Sequence, residues 1–140
     1  MYTELEAINA MLASMGEAPV LSLVVPHPYL PRAITLLARH NKLVQSNRWW
    51  FNTSKTTLTP DGGGPLTAEL PAGVIRIEGT RGRAYVLTAE GSVYDVQRGE
   101  FVTAPFEAVI VSEVAFVDLP PEANAYISGC AILQFQGEFD

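Results

Sequence analysis

Residues 34–58, ITLLARHNKLVQSNRWWFNTSKTTL, change from a helical to a β-prone pattern within a few positions, and this change decides the fold class. Up to Val44, apolar side chains recur every three or four residues, as they do along one side of an α-helix. From Trp49 onward, aromatic and β-branched residues dominate, which favours β-strands. Since the sequence on either side extends the same contrast, we predict an α+β protein.

Upstream of this stretch, the chain begins with a predicted helix over residues 3–15. Its apolar residues recur at helical spacing: Leu5, Ile8, Leu12 and Met15. Thr3 followed by Glu6 has the spacing of a capping box, in which each side chain accepts a hydrogen bond from the backbone N–H of the other. Gly16 stands where a left-handed residue commonly ends a helix.

Two further helices are predicted, over about 31–46 and 119–136. Pro31 presets the first turn of the second helix. Asp118 is a candidate N-cap for the third, with Pro120 and Pro121 in its first turn. The apolar face predicted for this last helix consists of Tyr126, Ile127, Cys130, Ala131 and Leu133.

Between these helices, residues from about 49 to 117 form the predicted β region. Candidate strands lie at 49–53, 56–58, 74–78, 84–87, 92–96 and 108–116. The segments between them are too short for crossover helices, so antiparallel pairing is expected. We therefore expect terminal helices packed together as a small bundle, with an inserted antiparallel β-meander. The whole chain, residues 1–140, is predicted to be one domain.

Composition excludes several functional classes. The chain has 140 residues, of which 48% are hydrophobic and 17% charged, which fits a folded domain and not a disordered one. Its formal net charge is −6 and it has no cluster of Lys and Arg, so sequence-specific DNA binding is not expected. No run approaches the roughly 20 apolar residues of a membrane span, and the N-terminus lacks the basic start of a secretory signal.

The sequence offers no recognisable catalytic set. His27 lies between prolines and His40 on a helix, and neither has a nucleophile motif nearby. Cys130, the single cysteine, lies on an apolar helical face, where a thiol is usually inert. The glycines at 62–64 lack the lysine and helix start of a phosphate-binding loop. We predict that the protein is not an enzyme and has no catalytic, cofactor-binding or metal-binding residues.

Two exposed features are candidates for protein contacts. Trp49 and Trp50 would point to opposite faces of a strand, so one of them is available to another subunit or partner. Arg81 and Arg83 lie in a turn, where two interpretations stay open: a solvated tip, or an ion pair with a neighbouring subunit. Together with Tyr94, residues Trp50, Arg81 and Arg83 form the predicted interface set.

Several ordered motifs resemble the tail tubular protein A family of short-tailed phages. The family opens with a helix and a Gly-Glu-x-Pro-Val exit, similar to residues 16–20, and continues with a Trp-x-Phe-Asn segment, similar to residues 49–52. Residues 70–71 resemble its Leu-Pro element, 92–95 its Leu-Tyr-Asp element, and 116–123 its Phe-x-x-Leu-Pro-Glu segment. The motif positions are Gly16, Pro19, Trp49, Phe51, Tyr94, Asp95, Leu119 and Pro120.

This resemblance implies a head-to-tail adaptor. Such a protein forms a dodecameric ring of its own copies between the portal protein and the tail nozzle or tube protein. Genomic DNA passes through the lumen without specific binding. The chain would then be a virion protein of the neck, assembled in the host cytoplasm and in contact with no membrane.

The sequence departs from the family pattern in two places. Position 48 is Arg where the family tends to have Gly, and the chain ends soon after the late helix, where the family commonly continues. Two alternatives stay open. One is another neck or tail component, such as a terminator or stopper. The other is a polysaccharide-acting tail hydrolase, which would use a carboxylate such as Asp95 or Glu100.

Overall fold

The computed structural model describes residues 1–67, 70 and 72–139. The chain forms two compact units, which we name the helical unit (Met1–Val44 and Val114–Asp140) and the sheet unit (Gln45–Glu113). The elements confirm the predicted α+β class: helices at both ends of the chain and antiparallel strands between them. The organisation of residues 1–140 as one functional domain stays a prediction.

The helical unit contains α1 (Glu4–Ala13), α2 up to Val44 (Leu30–Gln45 in full) and α3 (Pro121–Phe139). The two terminal helices, α1 and α3, pack together as predicted. The Asn124 side chain joins them, because it accepts from the Tyr2 N–H at 2.8 Å and donates to the Tyr2 carbonyl at 2.9 Å. The core side chains come from all three helices: Ile8, Met11, Leu12, Leu36, Ile127 and Phe135.

Both ends of α1 follow local sequence signals. Thr3 and Glu6 form the predicted capping box, with distances of 3.1 Å and 2.9 Å between the bonded atoms. Gly16 has φ +77°, and the Glu17 N–H reaches back to the Leu12 carbonyl at 3.0 Å. The chain therefore leaves α1 through the left-handed glycine that the sequence predicts.

The start of α3 differs from the prediction, because Asp118 is not its N-cap. Phe116–Asp118 form a short 3-10 turn, and Leu119 is extended. A residue before proline is disfavoured in the helical region, so the two prolines that follow Leu119 delay the helix. It begins at Pro121, and the Pro120 carbonyl accepts from the Asn124 N–H at 2.9 Å.

The sheet unit has two antiparallel three-stranded sheets. The first, in the order β1-β6-β2, comprises β1 (Thr53–Leu58), β2 (Val74–Gly79) and β6 (Phe106–Ser112). The second is a meander of β3 (Tyr85–Leu87), β4 (Val93–Asp95) and β5 (Glu100–Phe101). Leu58, Ile77, Val93, Ala108 and Ile110 form the core of this unit. The first sheet depends on a pairing distant in sequence, in which Thr53 lies opposite Val111.

Three strand assignments made from sequence are wrong. Residues 49–52 form a turn and not a strand, because Arg48 has φ +64° and redirects the chain. Glu100–Phe101 form β5, where the sequence analysis places no strand. The last strand spans Phe106–Ser112 instead of continuing to Phe116.

Candidate interaction surfaces

An aromatic turn occupies residues 49–51 of the sheet unit. Trp49 stacks on Phe51 with 5.9 Å between ring centroids, and Trp50 meets Phe51 edge-on at 5.7 Å. Trp50 is 79% exposed, whereas Trp49 and Phe51 are half-buried. Trp50 is therefore the exposed one of the two tryptophans, and its contact with a partner stays a prediction. The exposure of Trp50 does not arise from the strand alternation predicted from the sequence, because a turn sets the direction of the side chains.

Asn52 holds this turn closed. Its side-chain oxygen accepts from the Trp49 N–H at 2.8 Å, and its side-chain nitrogen donates to the Gln45 carbonyl at 2.7 Å. Asn52 is buried, where backbone groups need a protein partner because water has little access. Its side chain supplies that partner to both backbone groups. This is the structural role of the asparagine in the Trp-x-Phe-Asn segment.

Arg81 and Gly82 are the two central residues of the turn between β2 and β3. Their φ values are +54° and +77°, as in the type I′ turns that suit antiparallel hairpins, and the Arg83 N–H donates to the Thr80 carbonyl at 3.1 Å. Arg81 is exposed at this tip. Gly79 precedes the turn, and a Cβ there would lie 2.2 Å from the Arg83 carbonyl oxygen.

Asp95 organises the turn between β4 and β5. Its carboxylate is buried and accepts from the Gln97 N–H at 3.0 Å and the Arg98 N–H at 3.1 Å. The same carboxylate lies 3.4 Å from an Arg83 guanidinium nitrogen and 4.0 Å from Nε of Arg98. These contacts give Asp95 a structural role in shaping the turn and in holding two arginines beside it.

A cleft of about 300 Å³ opens next to Asp95. Its lining combines the two arginines with aromatic side chains: Arg83, Arg98, Tyr85, Phe101 and Phe106. Tyr94 lies close by in sequence and packs edge-on against Phe101, with 5.3 Å between ring centroids. Of the predicted interface residues, Arg83 and Tyr94 therefore have contacts within the sheet unit, Trp50 is largely exposed beside Phe51, and Arg81 is exposed at the turn.

The remaining motif positions lie in the helical unit. Asn9 holds the exit from α1, because its side chain donates to the Val20 carbonyl at 3.0 Å and accepts from the Val20 N–H at 2.8 Å. Pro19, beside Val20, is exposed. Leu119 is buried, and Pro120 supplies the carbonyl before α3. These positions shape the chain around the helix ends.

Sequence reasoning missed two exposed apolar surfaces of the helical unit. Leu21 and Val24 project from the segment between α1 and α2. Tyr126 and Leu133, assigned from sequence to the inner face of α3, point outward instead, while Ile127 and Ala131 are buried as predicted. Periodicity alone could not separate the two faces of α3, because both are apolar.

The histidines have structural partners in the helical unit. Nδ1 of His27 accepts from the Tyr29 N–H at 3.1 Å, and its Nε2 lies 3.6 Å from Glu17. His40 shares a hydrogen bond with Gln134. Among the described residues, no group of three or more His, Cys, Asp or Glu side chains could hold a metal ion. None of the helices described here combines the length and hydropathy of a bilayer-spanning segment.

Comparisons with known proteins match nearly the whole chain. A family model described as tail tubular protein matches residues 5–139. The chain is also 26% identical over 132 residues to the tail tubular protein A of Klebsiella phage KP34. That alignment covers 94% of this chain and 70% of the phage protein, and so includes residues of both units.

Proposed function

Because this chain belongs to the tail tubular protein family, we propose that it is a subunit of the head-to-tail adaptor ring, which joins the portal to the tail around the DNA channel. The family resemblance inferred from sequence is confirmed, and the chain is a structural component of a phage tail and hence of the virion. The match over residues 5–139 is the observation that carries the proposal, because it includes the elements of both units.

The proposed work of the chain is mechanical and non-enzymatic. Asp95, one of the two carboxylates named for the hydrolase alternative, accepts hydrogen bonds from two backbone N–H groups and lies beside two arginines. Each histidine is held by a neighbouring side chain or backbone group. Such contacts stabilise the fold, and they support the proposal that the protein acts by binding other proteins.

A ring of identical subunits needs two different contact surfaces on each copy, because its interfaces are head-to-tail. We assign Trp50, Arg81, Arg83 and Tyr94 to contacts with neighbouring subunits or the tail nozzle. The exposure of Trp50 and the position of Arg81 in the exposed turn between β2 and β3 support this assignment, since exposed tryptophan and arginine are typical anchors of protein interfaces.

The proposed partners of the ring are the portal protein on one side and the nozzle or tube protein on the other, after assembly in the host cytoplasm. The genome would pass through the lumen. The charge balance supports passage without specific binding: the helical unit has a formal net charge of −4 and the sheet unit −2. An acidic surface repels the phosphate backbone and does not hold it.

Loss of the chain during infection tests the proposal. Particles made without it should have packaged heads that lack tails and lose DNA, and the intact chain supplied from a plasmid should restore them. Normal tail attachment without the chain would contradict the adaptor role. A terminator or stopper would differ in its height along the neck and its rotational order in images of the virion, and a hydrolase would cleave surface glycans.

The assignment of the turn between β2 and β3 has its own test. Particles with Arg81→Ala and Arg83→Ala together should show weaker tail attachment or DNA retention, because both cations are removed from the proposed contact. Lys55→Ala, on the exposed face of β1, is the matched control for loss of a surface cation. Normal particles from the double variant would show that this turn makes no essential contact.

A further inference from the structure

The cleft beside Asp95 contains two guanidinium groups that share one carboxylate. Arg83 and Arg98 lie 3.4 Å and 4.0 Å from the same Asp95 oxygen. That carboxylate is buried, whereas the two arginine side chains are 42% and 62% exposed. Each guanidinium has five N–H donors, and one shared carboxylate cannot accept from them all. Glu100 also lines the cleft, but it forms no ion pair with either arginine in the part of the chain that the structure describes.

Aromatic side chains form the wall of this cleft. Tyr85 packs against Phe106 with 4.7 Å between ring centroids, and Phe101 is 45% exposed. The volume of about 300 Å³ lies at the small end of the range for ligand pockets, about 300–1,000 Å³. A guanidinium group can bind a carboxylate through two parallel hydrogen bonds, and the aromatic wall suits an apolar group. The cleft therefore fits an acidic side chain together with an apolar neighbour.

The turn before α3 presents this combination. In the 3-10 turn Phe116–Asp118, Val117 is 56% exposed, and Asp118 is exposed beside it. Among the described residues, the Asp118 carboxylate has no hydrogen-bond or ion-pair partner. No Lys or Arg follows Arg98 in the sequence, so the segment around the turn supplies no cation. The turn thus offers a carboxylate next to an apolar side chain.

Packing holds the turn in one conformation. Phe116 and Leu119 are buried on either side of the exposed pair, and the Leu119 N–H donates to the Phe116 carbonyl at 3.4 Å. Pro120 and Pro121 fix the backbone dihedral φ directly after it. A preorganised segment loses little conformational freedom when it binds. The turn is therefore a rigid projection suited to inserting into a cleft.

Other carboxylates of the chain fit the cleft less well. Three of them have a cationic or histidine partner already: Glu17 with His27, Glu107 with Lys55 and Glu138 with Arg32. Asp61 and Glu90 are exposed, but each precedes a glycine in a loop, where the backbone is freer. Of these carboxylates and Asp118, only Asp118 combines a fixed backbone with an exposed apolar neighbour.

We propose that the turn Phe116–Asp118 of one copy inserts into the cleft of the next copy, where Arg83 and Arg98 bind the Asp118 carboxylate. Val117 then packs against the aromatic wall. This inference rests on the proposed ring and identifies one contact that closes it. The turn belongs to the helical unit and the cleft to the sheet unit, so every copy has one of each, as a head-to-tail interface requires. With Asp118 in place, two carboxylates balance the two guanidinium groups.

Disulfide cross-linking in assembled particles tests the contact. Thr103 lines the cleft and is exposed. In a Cys130→Ser background, Val117→Cys and Thr103→Cys in one chain should give a ladder of covalent multimers on oxidation. Either cysteine alone should give none, because the interface is head-to-tail. Val117→Cys with Ser54→Cys, at an exposed position of β1, is the control and should cross-link several-fold less.

Each cross-linking outcome decides the proposal. A disulfide within one chain would place the turn at the cleft of its own copy, and would overturn the contact between copies. A ring visible in the neck without a ladder from the paired cysteines would also overturn it, and leave the adaptor role intact. Absence of the chain from the neck would instead reject the proposed function together with this contact.

Charge exchange tests the chemistry of the same contact. Arg98→Glu and Asp118→Arg should each lower the yield of tailed particles several-fold, and the two together should restore most of it. Lys42→Glu, which reverses an exposed cation on α2, is the matched control and should have little effect. Arg98→Gln removes the charge without repelling Asp95, so it should keep the Tm of the free chain and still lower the yield.

Two results would refute this chemistry. Normal yields from both Arg98→Gln and Asp118→Asn would show that the pair makes no essential contact. Retention of double-stranded DNA by the free chain, lost in Arg98→Gln and unchanged in Asp118→Asn, would assign the cleft to the phosphate backbone and overturn its assignment to a second copy.

Discussion

Replacing Asn52 with alanine should destabilise the sheet unit by about 2–4 kcal/mol. The side chain makes one bond to the Trp49 N–H and one to the Gln45 carbonyl, at 2.8 Å and 2.7 Å. A typical hydrogen bond contributes about 0.5–1.5 kcal/mol, and a buried group left without a partner costs about 1–3 kcal/mol. Because Asn52 is buried, both backbone groups would be left without a partner, and two such losses at about 1–2 kcal/mol each give the expected effect.

Asn52→Asp is the matched variant, since it keeps the shape and the acceptor for the Trp49 N–H. It loses the donor to the Gln45 carbonyl and places a negative charge against that oxygen. It should therefore destabilise the unit while leaving the Trp49 bond in place. Asn47→Ala, at a nearby exposed position, is the control and should change the free energy of unfolding by less than about 0.5 kcal/mol.

Urea unfolding followed by tryptophan fluorescence measures the effect, because both tryptophans of the chain lie within the turn that Asn52 closes. Asn52→Ala should lower the midpoint and alter the native emission, since Trp49 loses its fixed surroundings. If Asn52→Ala unfolds within about 0.5 kcal/mol of the parent chain and with the same native spectrum, Asn52 does not hold the aromatic turn.

Three further substitutions test other parts of the structure. Gly79→Ala should cost more than about 2 kcal/mol in urea unfolding, because its methyl would meet the Arg83 carbonyl oxygen at 2.2 Å; a parent-like midpoint would contradict the close approach. Arg81→Gly should stabilise the chain by about 0.5–1 kcal/mol, because φ is +54° at this position, and a lower Tm would count against that turn. The Arg32 guanidinium lowers the pKa of Glu138 mainly by hydrogen bonding; the resulting stability is present above the usual glutamate pKa and lost as pH falls through the lowered one. Arg32→Gln should return the Glu138 pKa toward its usual range in an NMR titration, and an unchanged titration would refute the pairing.

Local signals in the sequence predicted local structure well. The capping box at Thr3 and Glu6 and the left-handed Gly16 each depend on residues within one helical turn, and both are present in the structure. Arg48 gave no comparable signal. Its positive φ turns the chain before the aromatic residues, although their β propensity alone favours a strand. The family tends to have glycine at that position, so the residue that departs from the family pattern is one with a left-handed backbone conformation.

Non-local pairing and helix orientation were harder to predict. The contact of β1 with β6 joins residues 48 to 58 positions apart, and no short-range pattern encodes it. The orientation of α3 was missed because its apolar residues surround the helix, so that Tyr126 and Leu133 could be placed inside or outside with equal reason. The family motifs predicted which segments are characteristic, but the contacts that explain them, such as those of Asn9 and Asn52, required the structure.

A reconstruction of the virion neck tests the central claim most directly. We predict a closed ring of this chain between the portal and the tail nozzle, with the DNA channel through its centre. A neck in which density for this chain is absent from the junction between head and tail would contradict the adaptor role.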